Sequence, residues 1–290
     1  MSSKRIGKSV CGVALLSAVL LAGASALAAP VGIVDEPCPA PFAPSATFND
    51  LVTALIIEPH RIAPEEFERF LKNPELAKIN EAQRLAASQD WPGLCRFRAA
   101  NKKVVAGATP PRVVFMGDSI TENWNLSDAA FFDKGVVNRG ISGQTTAQML
   151  VRFRADVVAL RPGTVHILAG TNDVAGNTGP LTAQDFKNNI MSMVELARAN
   201  GIAVVLGSIP PAAAFNWRPE VKPVPIIQEL NRWLRDYASQ KGLRYVDYYT
   251  ALAGPTGELR ADLGNEGVHP NRKGYEIMKR LAEESLGRNR

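Results

Sequence analysis

From Arg112 onward, short apolar runs alternate with longer amphipathic stretches. Five of the runs have the length and the β-branched content of buried strands, namely Val113 to Met116, Val136 to Asn138, Val165 to Leu168, Ile202 to Leu206 and Leu243 to Val246. The stretches between them repeat apolar residues at intervals of three and four, which is typical of helices. This alternation predicts βα units and a parallel sheet. We therefore expect a three-layer α/β/α sandwich of about five parallel strands, covered by a last helix from about Asn271 to Leu286.

The residues before this unit differ in composition. Residues 30–50 are rich in Pro, Ala and Ser, which predicts an irregular arm. From Ala63 to Lys103 charged and apolar residues are interleaved, which predicts two or three helices, the last from about Trp91 to Ala100. Thr109-Pro110-Pro111 then interrupts the helical pattern. We expect an arm and a helical extension over residues 29–110 and the α/β domain over residues 111–290.

The first 28 residues have the pattern of an export signal. A basic head of Lys4, Arg5 and Lys8 precedes an apolar run and an Ala26-x-Ala28 exit. We expect cleavage after Ala28, with Ala26 as the alternative, and an exported protein that is periplasmic or secreted. The other interpretation is an uncleaved anchor, but the apolar run is short for a membrane span. No stable membrane anchor is therefore expected after cleavage.

The charge balance gives no support for a nucleic-acid partner. Residues 1–28 contain three basic and no acidic residues, so without them the formal net charge falls from +5 to +2. The chain also has no cluster of Lys and Arg interleaved with aromatic residues. We expect no nucleic acid among its partners.

Cleavage at the expected position would leave two cysteines, Cys38 and Cys95. In an oxidising compartment two cysteines have one possible connectivity, so we expect a disulfide between them. On the entropic model, closing a loop of this length restricts the unfolded chain by about 4 kcal/mol. Two unpaired thiols, with Cys95 packed in a helix, are the alternative.

Four polar segments that contain glycine lie at or near the expected carboxyl ends of strands, where open parallel sheets bind ligands. They are Gly117-Asp118-Ser119-Ile120, Ile141-Ser142-Gly143-Gln144-Thr145, Gly170-Thr171-Asn172-Asp173 and Glu266-Gly267-Val268-His269-Pro270. In this order and spacing the four segments resemble the blocks of the SGNH (GDSL-like) hydrolases, a family named for its Ser, Gly, Asn and His. The resemblance covers about residues 112 to 288, and it implies that residues 111–290 are an SGNH hydrolase domain with a flavodoxin-like fold.

The resemblance implies a catalytic triad. Ser119 would be the nucleophile and His269 the base that its weakly reactive hydroxyl needs. A third group holds the imidazole in the required tautomer, and the family normally has Asp three residues before the histidine. Here that position is Glu266, whose side chain is one methylene longer. Asp262 is the alternative acid, and a Ser-His dyad without a third member also stays open.

The resemblance also implies an oxyanion hole. Its donors would be the backbone N–H groups of Ser119 and Gly143 and the side-chain amide of Asn172. A glycine at position 143 lets the main chain approach a substrate closely. The alternative for Asn172 is an ordinary turn or capping residue.

Several other polar residues invite functional interpretations that we do not favour. Asp118 and Asp173 are expected to bond nearby backbone N–H groups, as Asp commonly does in turns. His166 falls inside a predicted strand, so we expect a packed histidine there, and we expect His60 on the surface.

Aromatic and basic residues near the strand ends are candidates for substrate contacts. Trp124, Phe215 and Trp217 are candidate walls of the acyl or leaving-group pocket, with simple packing as the alternative for each. Arg139 and Arg218 are candidates to bind a polar leaving group such as a sugar, although most arginines are exposed residues with no binding role.

The sequence as a whole predicts a serine esterase that hydrolyses carboxylic esters through an acyl-enzyme intermediate. We expect short acyl groups, such as acetyl on a carbohydrate or another polar alcohol, because no long apolar lid for a fatty-acyl groove is evident in the sequence. The alternative within the family is a lysophospholipase or thioesterase acting on longer acyl chains. A non-catalytic carbohydrate-binding module is an alternative of another class, which would lack a nucleophile, a base or an oxyanion donor.

No cofactor and no metal are expected. A metal-dependent phosphoesterase would need several converging His and carboxylate ligands, whereas the chain has three histidines in all, His60, His166 and His269. The expected partner is a small-molecule or glycan ester. The sequence does not indicate an oligomeric state.

Overall fold

The computed structural model describes residues 32–38, 44–60, 62–133 and 135–287. The chain divides into two units, Met1–Pro39 and Ala40–Arg290. The expected signal, residues 1–28, lies outside the described residues, and residues 32–38 of the first unit contain no helix or strand. Cys38 and Cys95 are both disulfide-bonded, in agreement with the disulfide expected from the sequence.

The second unit begins with the predicted helical extension. Its elements are α1 (Ala46–Val52), a π-helical turn (Thr53–Ile57), α2 (Pro64–Leu71), α3 (Pro74–Gln89) and α4 (Arg98–Ala106). The irregular arm is shorter than predicted, because Ser45 caps α1 by accepting a hydrogen bond from the Phe48 N–H at 3.1 Å. A serine in this position satisfies a backbone donor that the first helical turn leaves free.

The predicted helix from Trp91 to Ala100 is wrong from Trp91 to Phe97. The carboxylate of Asp90 accepts hydrogen bonds from the backbone N–H groups of Leu94, at 2.8 Å, and Cys95, at 2.7 Å. Gly93 has a φ of +75° within this turn. These side-chain bonds give the backbone an alternative to helix, and α4 begins only at Arg98.

The sheet has five parallel strands in the order β2-β1-β3-β4-β5. They are β1 (Val113–Gly117), β2 (Val136–Gly140), β3 (Thr164–Leu168), β4 (Ala203–Gly207) and β5 (Arg244–Val246). All five predicted strands are confirmed, with ends that shift by no more than two residues. Gly117 at the end of β1 pairs with Gly140 and Leu168, so the carboxyl ends of the three strands meet at one edge.

Helices cover both faces of the sheet. They are α5 (Ser119–Ser127), α6 (Thr146–Asp156), α7 (Thr171–Val174), α8 (Ala183–Ala199), α9 (Pro223–Lys241), α10 (Tyr248–Leu252) and α11 (Arg272–Gly287), with 3-10 turns at Ala129–Phe132 and Val158–Leu160. Within the described ranges, no helix combines the length and the apolar content that crossing a bilayer requires.

Successive side chains of β1 point into two separate apolar cores. Val114 and Met116 belong to the core that α6, α8 and α9 cover, whereas Val113 and Phe115 belong to the core under α5 and α11. This alternation follows from the two-residue period of a strand. The predicted three-layer α/β/α sandwich is confirmed.

His166 is a packed strand residue, as predicted. Its ring is stacked on Phe115 with centroids 4.5 Å apart, and its Nε2 forms a 2.8 Å hydrogen bond with the Tyr248 hydroxyl. Burial lowers the pKa of His166 to about 3, so the ring is neutral at ordinary pH.

A buried arginine joins α6 to the carboxyl edge of the sheet. Arg152 is fully buried and forms a 2.9 Å ion pair with Asp156 on the same helix. Its guanidinium also donates to the main-chain oxygens of Gly117, at 3.0 Å, and Arg139, at 2.9 Å, and to Gln144 Oε1 at 2.5 Å. These contacts hold the ends of β1 and β2 beside the loop that follows β2.

We expect Arg152→Met to lower the free energy of unfolding by about 3–5 kcal/mol, because it leaves the Asp156 carboxylate buried without its cation. Arg154→Met is the matched control, since Arg154 is exposed on the same helix. The control should change stability by no more than about 0.5 kcal/mol. Urea denaturation followed by circular dichroism measures both, and equal losses in the two variants would contradict the role of Arg152.

Candidate active site

Ser119 lies at the first turn of α5, directly after β1. The preceding Asp118 caps this helix, because its Oδ1 accepts a hydrogen bond from the Ile120 N–H at 3.0 Å. The strand-to-helix turn leaves Ser119 partly exposed at the carboxyl edge of the sheet, whereas Asp118 is buried. The hydroxyl is thus presented at the edge where the sequence places the other polar segments.

His269 reaches Ser119 from a distant part of the chain. It lies on the loop that precedes α11, and its Nε2 is 2.9 Å from Ser119 Oγ. The isolated β-bridge between Gly264 and Pro270 closes the base of this loop. The structure therefore brings together, across 150 positions of sequence, the two residues that the sequence pairs as nucleophile and base.

Glu266, and not Asp262, contacts the histidine. Glu266 Oε1 is 2.8 Å from His269 Nδ1, and the Glu266 side chain is 9% exposed. Asp262 forms a 2.7 Å ion pair with Arg260, and its side chain is 55% exposed. Of the two candidate acids, only Glu266 is placed to orient the imidazole.

The loop accommodates the longer side chain of Glu266 by folding back over it. Gly267 has a φ of +90°, a conformation that glycine adopts without strain. The fold-back lets the same Oε1 also accept hydrogen bonds from the backbone N–H groups of Val268, at 3.3 Å, and His269. A carboxylate with this many donors is fixed in position.

The contact with Glu266 sets the protonation of both partners. Burial would raise the pKa of Glu266, but the charge of His269 and hydrogen bonds from His269 and Val268 outweigh it and hold the pKa below its ordinary value. Burial would lower the pKa of His269, but the Glu266 and Asp118 carboxylates raise it above its ordinary value of 6.5. A histidine acts as a base in its neutral form, which is therefore lost as the pH falls through a value above 6.5.

The structure places the expected oxyanion donors at the same edge of the sheet. Gly143 is exposed in the loop after β2 and has a φ of +78°, which favours glycine. Asn172 lies in α7 after β3, and its Nδ2 donates to Asp118 Oδ2 at 3.2 Å and to the Gln144 main-chain oxygen at 3.1 Å. The Asn172 side chain thus links the loop of Gly143 to the residue that precedes Ser119.

The sequence analysis did not identify Glu122, a residue of α5 that forms hydrogen bonds with the loop carrying Gly143. Its Oε2 accepts hydrogen bonds from the Ser142 N–H, at 2.8 Å, and from Ser142 Oγ, at 2.6 Å. Arg96 of the helical extension pairs with Glu122 Oε1 at 2.8 Å. The position of Glu122, three residues after Ser119 on α5, was the available signal.

Asp118 accepts a hydrogen bond from the backbone N–H of Ile120, as expected of a turn residue, whereas Asp173 lies in α7 and bonds Thr146 of α6 instead of a backbone N–H of its own turn. Asp173 accepts two hydrogen bonds from the Thr146 N–H and one from the Thr146 hydroxyl. Burial raises the pKa of each carboxyl to about 6. Among the residues that the structure describes, no group of three or more His, Cys, Asp or Glu side chains is placed to hold a metal ion.

The predicted substrate contacts need correction. Trp124 and Phe215 are fully buried, so neither can form an open pocket wall. Trp124 packs against Phe115 in the core under α5. Trp217 is 42% exposed, rests on Phe215 with ring centroids 5.1 Å apart, and remains a candidate.

Of the two arginines, Arg139 is excluded as a substrate contact. It is buried, donates from Nε to Asn101 at 2.9 Å, and lies 4.7 Å from the centre of the Phe97 ring. Arg218 is exposed. His60 is partly exposed at the surface, as expected, and its ring lies 3.8 Å from Glu66.

Comparison with known proteins relates the chain to GDSL-like lipases and acylhydrolases. The model of the GDSL-like lipase/acylhydrolase family matches residues 115–277, more than half of the chain. Esterase TesA from Pseudomonas aeruginosa is 34% identical over 180 residues, which cover 56% of this chain and 81% of TesA. The crystal structure of a GDSL-like lipase from Bacteroides thetaiotaomicron is 43% identical, covers 68% of this chain and 98% of its own, and has a TM-score of 0.65.

A second curated relative matches over a shorter segment. The uncharacterized lipoprotein YqeF of Bacillus subtilis is 33% identical over 112 residues, or 32% of this chain. The chain spans 46% of the length of that relative. The match therefore concerns only part of each protein.

We expect Glu266→Gln to lower the pKa of His269, because the carboxylate charge that opposes burial is removed. An NMR titration of the imidazole resonances measures this, and His166 does not interfere because its pKa of about 3 lies outside the range. Asp262→Asn is the control and should leave the pKa of His269 unchanged. A shift in the control variant but not in Glu266→Gln would show that the acids are assigned the wrong way round.

Proposed function

Since the chain belongs to the GDSL-like lipase/acylhydrolase family of SGNH hydrolases, we propose that it is a serine esterase that hydrolyses carboxylic esters through an acyl-enzyme intermediate. One observation carries the proposal. Ser119 Oγ lies 2.9 Å from His269 Nε2, while Glu266 holds the opposite ring nitrogen at 2.8 Å. This is the arrangement in which a base can take the proton of a serine hydroxyl as the hydroxyl attacks.

In the first half of the reaction, Ser119 Oγ attacks the ester carbon and His269 Nε2 takes the hydroxyl proton. Glu266 stabilises the imidazolium that forms. The Ser119 and Gly143 N–H groups and the Asn172 side-chain amide donate hydrogen bonds to the negatively charged oxygen of the former carbonyl. This oxygen replaces one of the two acceptors to which Asn172 Nδ2 donates in the structure. The intermediate then expels the alcohol, which receives its proton from His269.

In the second half, a water molecule attacks the acyl-enzyme. His269 removes a proton from the water, the same donors stabilise the second oxyanion, and the carboxylic acid leaves as Ser119 recovers its proton. Both halves need neutral His269, so the rate falls on the acid side as the histidine becomes protonated. No step draws on a metal or a cofactor.

We favour short acyl groups, such as acetyl on a carbohydrate or another polar alcohol. The sequence shows no long apolar lid that would cover a fatty-acyl groove, and this supports the choice of short acyl groups. The alternative, a lysophospholipase or thioesterase, uses the same catalytic residues on longer acyl chains. A carbohydrate-binding module without activity would not need the contact between Ser119 and His269.

We also propose that the protein is exported, to the periplasm or the medium, after cleavage of residues 1–28. The disulfide bonding of Cys38 and Cys95 supports this location, because such bonds persist in oxidising compartments. The partner in this proposal is a small-molecule or glycan ester rather than a nucleic acid.

We expect Ser119→Ala to lower the rate on nitrophenyl acetate by at least about 10³-fold. Ser88→Ala is the control, since Ser88 is exposed on α3 and donates only to a nearby main-chain oxygen. The unaltered protein should act faster on nitrophenyl acetate than on the palmitate. A preference for palmitate would favour the long-chain alternative, and an active Ser119→Ala variant would overturn the esterase proposal itself.

We expect Asn172→Ala to lower kcat by about 10²- to 10³-fold, the usual effect of removing one oxyanion donor. KM should change little, because the lost bond forms mainly in the transition state. Steady-state kinetics on nitrophenyl acetate measures both constants. If the variant instead raises KM at constant kcat, Asn172 binds the substrate and is not an oxyanion donor.

A further inference from the structure

We propose that Asn177, a residue outside the four motif segments, is the positioning residue of the oxyanion hole. It orients the Asn172 amide and restrains the peptide that follows Gly143. The inference rests on the proposed function, because it concerns how the oxyanion donors of the esterase are held.

Asn177 is brought to the site by a tight turn after α7. The turn folds the chain back, with the Asn177 N–H donating to the Asn172 main-chain oxygen at 3.0 Å and Gly176 at a φ of +67°. The Asn177 side chain is thereby set against that of Asn172, and its Nδ2 donates to Asn172 Oδ1 at 2.7 Å. The two amides are linked by both main chain and side chain.

The donor and acceptor roles in the hydrogen bonds of Asn172 and Asn177 are fixed by two neighbouring groups, one of which can only donate and the other only accept. Amide oxygen and nitrogen are nearly alike in shape, so an amide can turn over unless its partners differ. Trp217 Nε1, which can only donate, is 3.0 Å from Asn177 Oδ1. At the other end, the Gln144 main-chain oxygen, which can only accept, is 3.1 Å from Asn172 Nδ2. Each amide between these ends therefore has one favourable orientation.

This orientation directs Asn172 Nδ2, and not Oδ1, toward Asp118, the residue before Ser119. If the Asn172 amide turned over, its oxygen would face the Asp118 carboxylate and the Gln144 carbonyl, and its nitrogen would face the nitrogen of Asn177. An oxygen in that place would repel a developing oxyanion. By holding Oδ1, Asn177 keeps the donor of Asn172 on the side where a donor is needed.

Asn177 also restrains Gly143, whose backbone N–H is another proposed oxyanion donor. Its Nδ2 lies 3.3 Å from the Gly143 main-chain oxygen. Glycine has more conformational freedom than any other residue, so a bond to its carbonyl limits rotation of the segment that carries the Gly143 N–H. The Asn177 side-chain nitrogen thus contacts both Asn172 and Gly143, two of the three proposed oxyanion donors.

The test exchanges the polarity of Asn177 at nearly constant shape. Asn177→Asp keeps the oxygen that accepts from Trp217 and puts a second oxygen opposite the oxygens of Asn172 and Gly143. We expect kcat on nitrophenyl acetate to fall by about 10- to 100-fold, because misplaced oxyanion donors cost rate, with KM within about threefold. Asn188→Asp is the matched control, an exposed asparagine on α8 that should leave both constants unchanged.

Two further variants separate positioning from folding. Asn177→Ala removes the donor without adding charge and should lower kcat by about tenfold, so the inference stays testable if Asn177→Asp does not fold by circular dichroism. Trp217→Phe keeps the ring on Phe215 but removes the donor to Asn177, and should give a smaller loss. In an Asn172→Ala background, Asn177→Asp should cost less than in the unaltered chain, because the amide it orients is absent.

The outcomes distinguish this inference from the esterase proposal. If Ser119→Ala is inactive while Asn177→Asp and Asn177→Ala keep kcat within about twofold, the inference is wrong and the esterase stands. Full additivity of the Asn172 and Asn177 effects would also contradict it, since coupled residues are not additive. If Ser119→Ala stays active, the proposed function itself fails.

Discussion

The buried guanidinium of Arg152 is the interaction on which the catalytic edge of the sheet depends. A cation without water needs acceptors for its N–H groups, and Arg152 finds them in the main-chain oxygens of Gly117 and Arg139 and in the side chain of Gln144. The first carbonyl lies two residues before Ser119. The main-chain oxygen of Gln144 in turn accepts from Asn172. One buried charge therefore sets the relative position of the turn that carries Ser119 and the loop that carries Gly143.

The strands were predictable because the burial pattern that marks them is local in the sequence. A parallel strand buried on both faces reads as a continuous apolar run, and β1 and β3 are buried at every position. The carboxyl ends of such strands share an edge, so the polar segments after them had to converge. The helices of the N-terminal extension were harder to predict. The residues from Trp91 onward have a helical pattern, but the Asp90 carboxylate accepts hydrogen bonds from the backbone N–H groups of Leu94 and Cys95.

Within the candidate site, the sequence indicated the residues proposed to act but not those that hold them in place. The resemblance implied Glu266 as the acid with Asp262 as the alternative, and the contact between Glu266 and His269 depends on the fold-back at Gly267, which the sequence pattern does not reveal. Trp124 is near Ser119 in sequence, but α5 turns its ring toward the core. Asn177 gave no signal, because its contacts arise from a turn whose geometry spacing does not encode.

The ion pair between Arg96 and Glu122 has a consequence for how far catalytic likeness extends among relatives. Arg96 lies before residue 115, where the match to the family begins. The loop that carries Gly143 is thus braced partly by a segment that the shared core does not include, since Glu122 also holds Ser142. Relatives that share the core but have a different segment before it would therefore hold this loop by other contacts.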